Sequence, residues 1–560
     1  MADLIKVGAI GGLDEDGRDC YFVEINDDIF IIDYGTSLPD KNIPGVDFML
    51  PNPQYIIKNK NRIKGYFITH GHDESMAGLK FIYNNVPAPI YCSEDTKTCL
   101  ESQAKIFGFK VKFNFVVVKP TDTIKVANRE VRFFQTCHNA PGSSGIAILT
   151  DKGYIVFSSD YIVDFDCKKG YFFDLKALED IAQKPIFLLM GESKGALHSG
   201  YCAPKHNMKK LVRSYFRDDH KRIFITCFWQ NIFRLHEIFE LCKENKKKLY
   251  LYNEYARKVV NEIYDKDTRF SSVEIVSKED LLRVKKEDVV VLILGHGDEL
   301  YDEIKKLANR ENTDKRLVIE KDDIFINAAL PRPTIETACT RAMDDVYRSG
   351  CEVRWLKKNE LIAMHAKEDD IKFLLYLLKP IFYLPVRGNY TSMIANAKIA
   401  VSLGIGLNHM NVFIIDNGMA VSFNETGRPT ILNDQATGIV STPLLVDGLG
   451  YSLVDGGLIA DRNRLSQDGV VVIAATISTK EKKIVSGPDC QMRGFVYLKE
   501  AEPLLKSISS IFNEEVTIAL RESFFNDAEV KAKIEERIRR FIKRENGREP
   551  YILPIINVLK

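Results

Sequence analysis

The segment FITHGHDES carries the residues best suited to chemistry in this 560-residue chain. His70 and His72 are separated by one residue at the predicted end of a strand, RIKGYFITH (62–70). Side chains on a strand alternate between its faces, so both imidazoles would point the same way and could grip one cation. An isolated His-x-His pair is a weak signal, and a structural pair of loop histidines is at least as good an interpretation.

Three further residues strengthen the metal interpretation because each ends an apolar strand. Asp33 follows DIFII, His138 follows VRFFQTC, and Asp160 follows YIVFSS. A single residue of this kind is best explained as a polar strand terminus. Acids and histidines that end several buried strands instead predict a metal site assembled at one sheet edge.

The predicted elements divide the chain into differently built regions. Strands dominate at first, with helices interposed, which predicts a sheet sandwich covered by helices. Beyond about residue 205, strands such as RIFITCF alternate with amphipathic helices, as in an inserted α/β domain. A helix ending at Pro380 and a strand then return the chain to the sandwich. The last segment has strands and a helix with Val530, Ile534, Ile538 and Phe541 on one face. The predicted domains are 1–204 with 366–435 (sandwich), 205–365 (insert), 436–460 (linker) and 461–560 (α+β).

Bulk properties exclude several classes of protein. Apolar residues make up 45% and charged residues 28% of the chain, as is ordinary for a globular protein. The net charge is +1, so any nucleic-acid binding must come from local patches. The 11 cysteines show no disulfide framework or CxxC pattern. We find no signal peptide and no apolar run long enough to cross a membrane, and we expect a cytoplasmic protein without membrane contact.

The order Asp33, His70-Gly-His72, His138 and Asp160 resembles the metallo-β-lactamase superfamily, and the α/β insert resembles the β-CASP domain of its nucleic-acid-processing members. Within that group the chain is most similar to ribonuclease J. The segments that carry this similarity are GGLDEDGRDC, PGVDFMLPN, FWQNIFRLHEIF, IVSGPDCQMRGFVYL (484–498) and GREPYILPIINV (547–558).

The resemblance implies a fold, an activity and a set of cofactors. It implies an α/β fold class: a metallo-β-lactamase αββα sandwich with an inserted β-CASP α/β domain and a small α+β C-terminal domain. It also implies RNA cleavage, both internally and from a 5′-monophosphate end, with two metal ions and a water-derived nucleophile. His70, His72 and His138 match the ligands of the first metal, with Asp160 bridging, and all four are present.

The chain departs from the family pattern at the second metal. The family motif His-x-His-x-Asp-His reads here with Glu74 for the acid and Ser75 for the last histidine, and Arg387 in PVRGNY replaces a late ligand histidine. A serine hydroxyl is a poor neutral ligand, and arginine stays protonated and cannot ligate. We expect one divalent ion, zinc or manganese, and loss of the second site, with Glu74 as its one remaining acid.

We hypothesise that Arg387 projects into the vacated second position and pairs with Asp160 or Glu74, offsetting part of the lost metal charge. The alternative is that Arg387 swings out to RNA or solvent. By the same resemblance, Glu192 in LMGES and His365 in IAMHAKED match the β-CASP motif acid and histidine, so His365, Glu192 and Glu74 are the catalytic candidates. Asp33 is structural near the site. His296 is interpreted as a loop residue, not a ligand.

These substitutions resemble a degenerate second paralogue within the family in low-GC Gram-positive bacteria. We therefore expect a weakly active or inactive subunit that supports an active ribonuclease J paralogue in mRNA turnover and rRNA maturation. RNA and that paralogue are the predicted partners, in a homodimer or hetero-oligomer. The alternative is an active metal-dependent 5′-3′ exoribonuclease and endoribonuclease. A small-substrate metallohydrolase is disfavoured by the insert and the C-terminal domain.

Overall fold

The computed structural model describes residues 2–39, 43, 45–166, 170–218, 220–261, 269–270, 272–313, 317–332, 335–447, 452–453, 456–494, 501–522 and 524–559. The chain divides into two compact units, Met1–Leu38 with Phe48–Leu444, and Pro39–Asp47 with Leu445–Lys560. The finer domain boundaries given above stay predictions. None of the helices in the described ranges has the length and apolarity needed to cross a membrane.

The secondary structure has the following bounds in chain order. The strands are β1 (Ile5–Gly11), β2 (Cys20–Ile25), β3 (Asp28–Ile32), β4 (Phe48–Leu50), β5 (Ile63–Phe67), β6 (Ile90–Cys92), β7 (Phe115–Val117), β8 (Thr123–Val126), β9 (Arg129–Gln135), β10 (Ser144–Thr150), β11 (Gly153–Phe157), β12 (Ile186–Glu192), β13 (Ile223–Phe228), β14 (Lys248–Leu251), β15 (Val289–Gly295), β16 (Ile324–Asn327), β17 (Glu352–Trp355), β18 (Phe382–Val386), β19 (Ala420–Phe423), β20 (Pro429–Leu432), β21 (Leu444–Asp447), β22 (Ser452–Leu453), β23 (Val470–Ser478), β24 (Lys483–Arg493) and β25 (Tyr551–Leu559). The helices are α1 (Gln54–Lys58), α2 (Asp73–Met76), α3 (Leu79–Ile82), α4 (Glu94–Ile106), α5 (Leu175–Ile181), α6 (Lys209–Phe216), α7 (Ile232–Glu244), α8 (Glu254–Val259), α9 (Glu299–Ala308), α10 (Glu336–Arg348), α11 (Glu368–Leu378), α12 (Tyr390–Ser402), α13 (Asp434–Thr437), α14 (Gly456–Asp468), α15 (Ala501–Arg521) and α16 (Asp527–Asn546).

Two sheets form the sandwich of the larger unit. The eight-stranded sheet has the order β20-β19-β1-β2-β3-β5-β6-β7, and the six-stranded sheet has the order β18-β12-β11-β10-β9-β8. Apolar side chains such as Phe30 and Phe157 fill the space between the sheets. The outer face of the first sheet packs against α1, α3 and α4, and that of the second packs against α5, α11 and α12. The predicted αββα arrangement is confirmed.

The insert is a parallel sheet covered on both faces. Its order is β14-β15-β13-β16-β17, and every neighbouring pair is parallel. One face packs against α6 and α7, and the other packs against α9 and α10. Burial on both faces explains why Val289–Gly295 is apolar throughout, without the alternation of a half-exposed strand.

The smaller unit contains a three-stranded sheet with the order β24-β23-β25, in which β23 is antiparallel to β24 and parallel to β25. Helices α15 and α16 pack on one face of it. On the predicted face of α16, Val530, Ile534 and Ile538 are buried and the half-buried Phe541 also packs against this core, which Ile542 joins as a further buried residue. The stretch 436–460, predicted as a linker, includes β21, β22 and the start of α14.

Candidate metal centre

The carboxyl ends of parallel strands gather the site residues at one edge of the sandwich. Asp33 directly follows β3, and His70 follows its parallel neighbour β5. On the other sheet, β11, β12 and β18 run parallel, and they are followed or ended by Asp160, Glu192 and Arg387. Asp33 and Arg387 leave their strands with φ of 60° and 57°, left-handed values that are uncommon outside glycine. These turns direct both side chains into the same buried space.

The HGH loop does not continue β5, contrary to the sequence prediction. The strand ends at Phe67, and His72 is the N-cap residue of α2. The backbone turns because the amide and hydroxyl of Thr69 both donate to the Asp33 carboxylate, the amide over 2.8 Å. Loop geometry, and not strand alternation, therefore aims the two imidazoles.

Three imidazoles converge at the centre of the site. The rings of His70, His72 and His138 lie with their centroids 4.7 to 4.9 Å apart. His138 Nδ1 is 2.7 Å from the Met364 carbonyl oxygen, and His72 Nε2 is 3.3 Å from that of Gln230. A carbonyl can only accept, so these nitrogens carry the proton of a neutral ring. His138 Nε2 and His72 Nδ1 are then lone-pair donors, and they face each other at 3.4 Å.

Asp160 completes this donor set. Its Oδ2 lies 3.8 Å from both His70 Nε2 and His138 Nε2, and 3.7 Å from His365 Nδ1. The ligand nitrogens of His70, His72 and His138 lie within 4.8 Å of one another. Burial lowers the pKa of His70 and His138, which favours the neutral form that binds metals. The three imidazoles fit one divalent ion, and Asp160, which forms a second such group with His138 and His365, can add a carboxylate oxygen.

Arg387 is fully buried, and its neighbours include Asp160 and Ser75, two of the positions that the sequence resemblance assigns to a second metal. Its Nη1 lies 2.6 Å from Asp160 Oδ1. Its Nη2 donates to the Asp33 carboxylate and, over 3.1 Å, to Ser75 Oγ. Asp19 Oδ2 lies 3.4 Å from the same Nη2. The guanidinium thus points inward, toward three carboxylates and the serine, and pairs with Asp160.

The three acids around Arg387 differ in their protonation behaviour. Burial opposes ionisation of Asp160, but the charges of Arg387 and Lys194 hold the pKa of its carboxyl well below the usual range. For Asp33 and Asp19 burial dominates, and it raises their pKa values to about 6 and about 7 although Arg387 is close. Arg387 and Lys194 together therefore keep Asp160 ionised, whereas near neutral pH Asp19 is close to half-protonated and Asp33 is mostly ionised.

Glu74 is paired with cations other than Arg387. Its Oε1 is 3.6 Å from His72 Nδ1 and 3.8 Å from Lys194 Nζ, and its Oε2 is 3.6 Å from Arg332 Nη2. Burial works against its charge, but Arg332, His72 and Lys194 hold the pKa of Glu74 well below its usual value. Glu74 is therefore an ionised carboxylate held by cations of the protein itself.

Glu192 and His365, the two predicted β-CASP motif residues, form a pair in which Glu192 is buried and His365 is partly exposed. Glu192 Oε2 is 3.1 Å from His365 Nδ1, and its Oε1 accepts hydrogen bonds of 2.8 Å from the amides of Tyr161 and Ala366. Burial favours neutral His365, but Asp160 and Glu192 outweigh it and raise the pKa of this imidazole. His365 Nδ1 is 3.7 Å from Asp160 Oδ2, so its hydrogen-bond partner is Glu192, which holds the imidazole beside Asp160.

A cavity of about 480 Å³ opens onto the centre, lined from the sandwich by His72, Glu74 and Lys194 and from the insert by Arg332 and His296. His296 Nε2 lies 2.9 Å from Asp73 Oδ2, beside the HGH loop and outside the groups able to hold a metal within the described ranges. The site is therefore reached through the space between the sandwich and the insert.

Sequence reasoning missed Asp19, Lys194 and Arg332 as members of the site. Asp19 directly precedes the fully buried strand β2, whereas Asp33 was identified because it follows an apolar strand. Lys194 lies two residues after Glu192. This spacing indicates that Lys194 is near the site only when Glu192 is already known to belong to it. Nothing local in LPRP marks Arg332, because its partners come from distant parts of the chain.

An αββα sandwich with histidine and aspartate donors at its strand ends, carrying an inserted parallel α/β domain, defines a metallo-β-lactamase fold of the β-CASP group. Residues 220–346 match the family described as "Ribonuclease J, beta-CASP domain", and residues 457–559 match "Ribonuclease J C-terminal domain". The chain therefore carries two domains of the ribonuclease J family, as the sequence resemblance predicted.

Similar proteins cover the whole chain. "Ribonuclease J 2" of Streptococcus pyogenes serotype M3 is 29% identical over 555 residues, covering 99% of each chain. "Ribonuclease J2" of Bacillus subtilis is 27% identical over 557 residues, covering 99% of this chain and 98% of that protein. A crystal structure of a protein of unknown function from Enterococcus faecalis V583 aligns with a TM-score of 0.50 at 14% identity, over 77% of this chain and all of that one. That likeness bears on the fold alone.

Proposed function

We propose that this ribonuclease J-family RNA-processing protein is a weakly active or inactive subunit that binds RNA and supports an active paralogue in mRNA turnover and rRNA maturation in the cytoplasm. The observation that carries this proposal is the buried guanidinium of Arg387, 2.6 Å from Asp160. Arginine stays protonated and offers no lone pair, so it cannot hold a second metal. Its charge replaces part of the electrostatic role of that metal without activating water.

His70, His72, His138 and Asp160 would hold a single divalent ion. Their convergence and the lone-pair nitrogens of His72 and His138 support this assignment. When bound, the ion would supply Lewis-acid polarisation of a phosphoryl oxygen. The residues of the chain orient that site: Met364 fixes the tautomer of His138 through its carbonyl, as outer partners of metal-binding histidines commonly do.

The test is incubation of the purified chain with 5′-monophosphorylated RNA and Mn²⁺, beside a His70→Ala/His72→Ala variant. We expect binding without appreciable cleavage in both. Metal-dependent cleavage that the double variant abolishes would overturn the proposal of weak or absent catalysis.

The partnership is tested separately. Co-expression with an active ribonuclease J, followed by sizing, should give one complex that elutes ahead of either chain. Separate elution across salt and protein concentrations would contradict the hetero-oligomer, and elution of the lone chain at twice its mass would favour a homodimer.

The second candidate function is an active ribonuclease that uses one metal. This candidate is favoured by the retained histidines His70, His72 and His138 and by the Glu192–His365 pair. A single Lewis acid and an oriented imidazole can still assist hydrolysis. The cleavage assay separates this candidate from the first.

A further inference from the structure

Four charged side chains form a closed ring at the mouth of the cavity, which we call the charge ring: Glu74, Lys194, Asp16 and Arg332. Lys194 Nζ lies 3.8 Å from Glu74 Oε1 and 3.8 Å from Asp16 Oδ1. Arg332 Nη2 lies 3.6 Å from Glu74 Oε2, and its Nη1 lies 3.6 Å from Asp16 Oδ2. All four residues line the cavity. Each cation is thus shared between the same two carboxylates.

The contacts of the charge ring are long. All four distances exceed the 2.7–2.9 Å or so of a charge-assisted hydrogen bond, so the ions attract one another without tight directional bonds. Such pairs exchange partners readily, because a new anion can offer the guanidinium and ammonium closer oxygens than they now have. A phosphate group presents several such oxygens, and arginine binds them in a bidentate manner.

The ring has a fixed side and a loose side. The side chains of Glu74 and Lys194 are only 7% and 11% exposed, whereas those of Arg332 and Asp16 are 42% and 57% exposed. The carboxylate of Asp16 is already largely hydrated and can therefore move further into solvent at little cost, while the buried Glu74 stays in place. Lys194 also lies 3.9 Å from Asp160 Oδ2, which puts an anion on this ring next to the metal-ligand residues.

We propose that the charge ring is a phosphodiester-binding site guarded by Asp16, in which an entering single-stranded RNA takes Lys194 and Arg332 from Asp16. The proposal rests on the RNA-binding role proposed above. It explains why a chain with net charge +1 carries cations at this cleft, yet pairs each of them with a carboxylate while RNA is absent. Asp16 then acts as a competitor that sets the affinity.

The test is fluorescence anisotropy of the full chain with a labelled single-stranded RNA bearing a 5′-hydroxyl, in EDTA, at several salt concentrations. Arg332→Met and Lys194→Met should each weaken binding about three- to tenfold and reduce the salt slope by about 0.7, as expected for one lost phosphate contact. Asp16→Asn should tighten binding about threefold, because the competitor has lost its charge. Lys194→Arg, which keeps the charge in place, should bind like the wild type.

The matched controls are Lys305→Met and Asp302→Asn, an exposed ion pair on α9 that does not line the cavity. Each control changes the net charge by one unit outside the cavity. Each should therefore alter the RNA affinity only by the small, non-specific effect of that charge. If the wild type binds RNA but the ring variants behave like these controls, the charge-ring proposal is overturned and the RNA-binding role stands. If the wild type fails to bind RNA, both fall. Should Lys194→Met not fold, the more exposed Arg332→Met and Asp16→Asn decide the matter.

Discussion

Removing the charge of Arg387 is the perturbation that most exposes its role. Arg387→Met leaves Asp160, Asp33 and Asp19 buried without the guanidinium. Breaking a buried ion pair from one side costs about 3–5 kcal/mol. Two of these acids already have pKa values near 6 and 7 and can take up protons, so we expect the lower end, about 3 kcal/mol. For a unit of this size that corresponds to a drop of roughly 3 °C in Tm.

The informative readout is rescue by a divalent ion. In Arg387→Met the three carboxylates and Ser75 form an oxygen-rich pocket that suits Mn²⁺ or Mg²⁺. An ion at 100 times its Kd would restore about 2.7 kcal/mol, nearly the whole loss. Differential scanning fluorimetry with and without Mn²⁺ measures this, and the Tm of the variant should rise by up to about 3 °C more than that of the wild type.

Arg222 provides the matched control. It is a buried arginine whose Nε and Nη2 contact Asp323 at 3.0 and 2.7 Å in the β-CASP sheet, away from the histidines. Arg222→Met should also lose stability, but Mn²⁺ should not restore it. Arg387→Lys retains a charge and should show a smaller loss and little rescue. Unchanged stability of Arg387→Met, or equal rescue of both methionine variants, would refute this account of the guanidinium.

Three further outcomes follow from the same geometry. In thermal melts, the stability that Arg387→Met loses relative to the wild type should be smaller at pH 5.5 than at pH 8. Loss of the guanidinium raises the pKa of Asp19 further above its value of about 7, so this acid is neutral at pH 5.5. Its buried negative charge lacks a partner only as the pH rises through the folded-state pKa. A deficit that grows on acidification would contradict this. The triple variant Glu74→Asp/Ser75→His/Arg387→His should gain Mn²⁺-dependent RNA cleavage of at least about tenfold in a gel assay, and no gain would argue that more than the ligands has been lost. Ile538→Ala should destabilise the smaller unit by about 2–5 kcal/mol in proteolysis-monitored unfolding, without changing metal content, because Ile538 is fully buried there.

The sequence predicted the fold class because its signals are local and repeated. The continuous apolar run of β15 indicates a strand buried on both faces, and the four-residue spacing of Val530, Ile534 and Ile538 indicates one helix face. Such periodicity can be recognised without knowledge of the tertiary fold. Phe541 packs against the same core, but the spacing did not reveal that its neighbour Ile542 is the more deeply buried of the two.

The candidate site was predictable only in part, for a different physical reason. Asp33 and Asp160 can be recognised in the sequence because they are acids at the ends of apolar strands. The end of β5 was placed too late because the bond from Thr69 to Asp33 is a long-range contact that no local pattern encodes. Arg332 was missed for the same reason: its partners Glu74 and Asp16 are more than 250 residues away in sequence.

The central claim is that the guanidinium of Arg387 stands where a second metal would be, and metal stoichiometry tests it most directly. The purified chain, loaded with Mn²⁺ or Zn²⁺ and desalted, should contain one ion per chain by elemental analysis, and His70→Ala/His72→Ala should contain none. An anomalous diffraction map should show that ion among His70, His72, His138 and Asp160, with Arg387 still paired to Asp160. Two ions per chain, with Arg387 displaced from Asp160, would contradict the account.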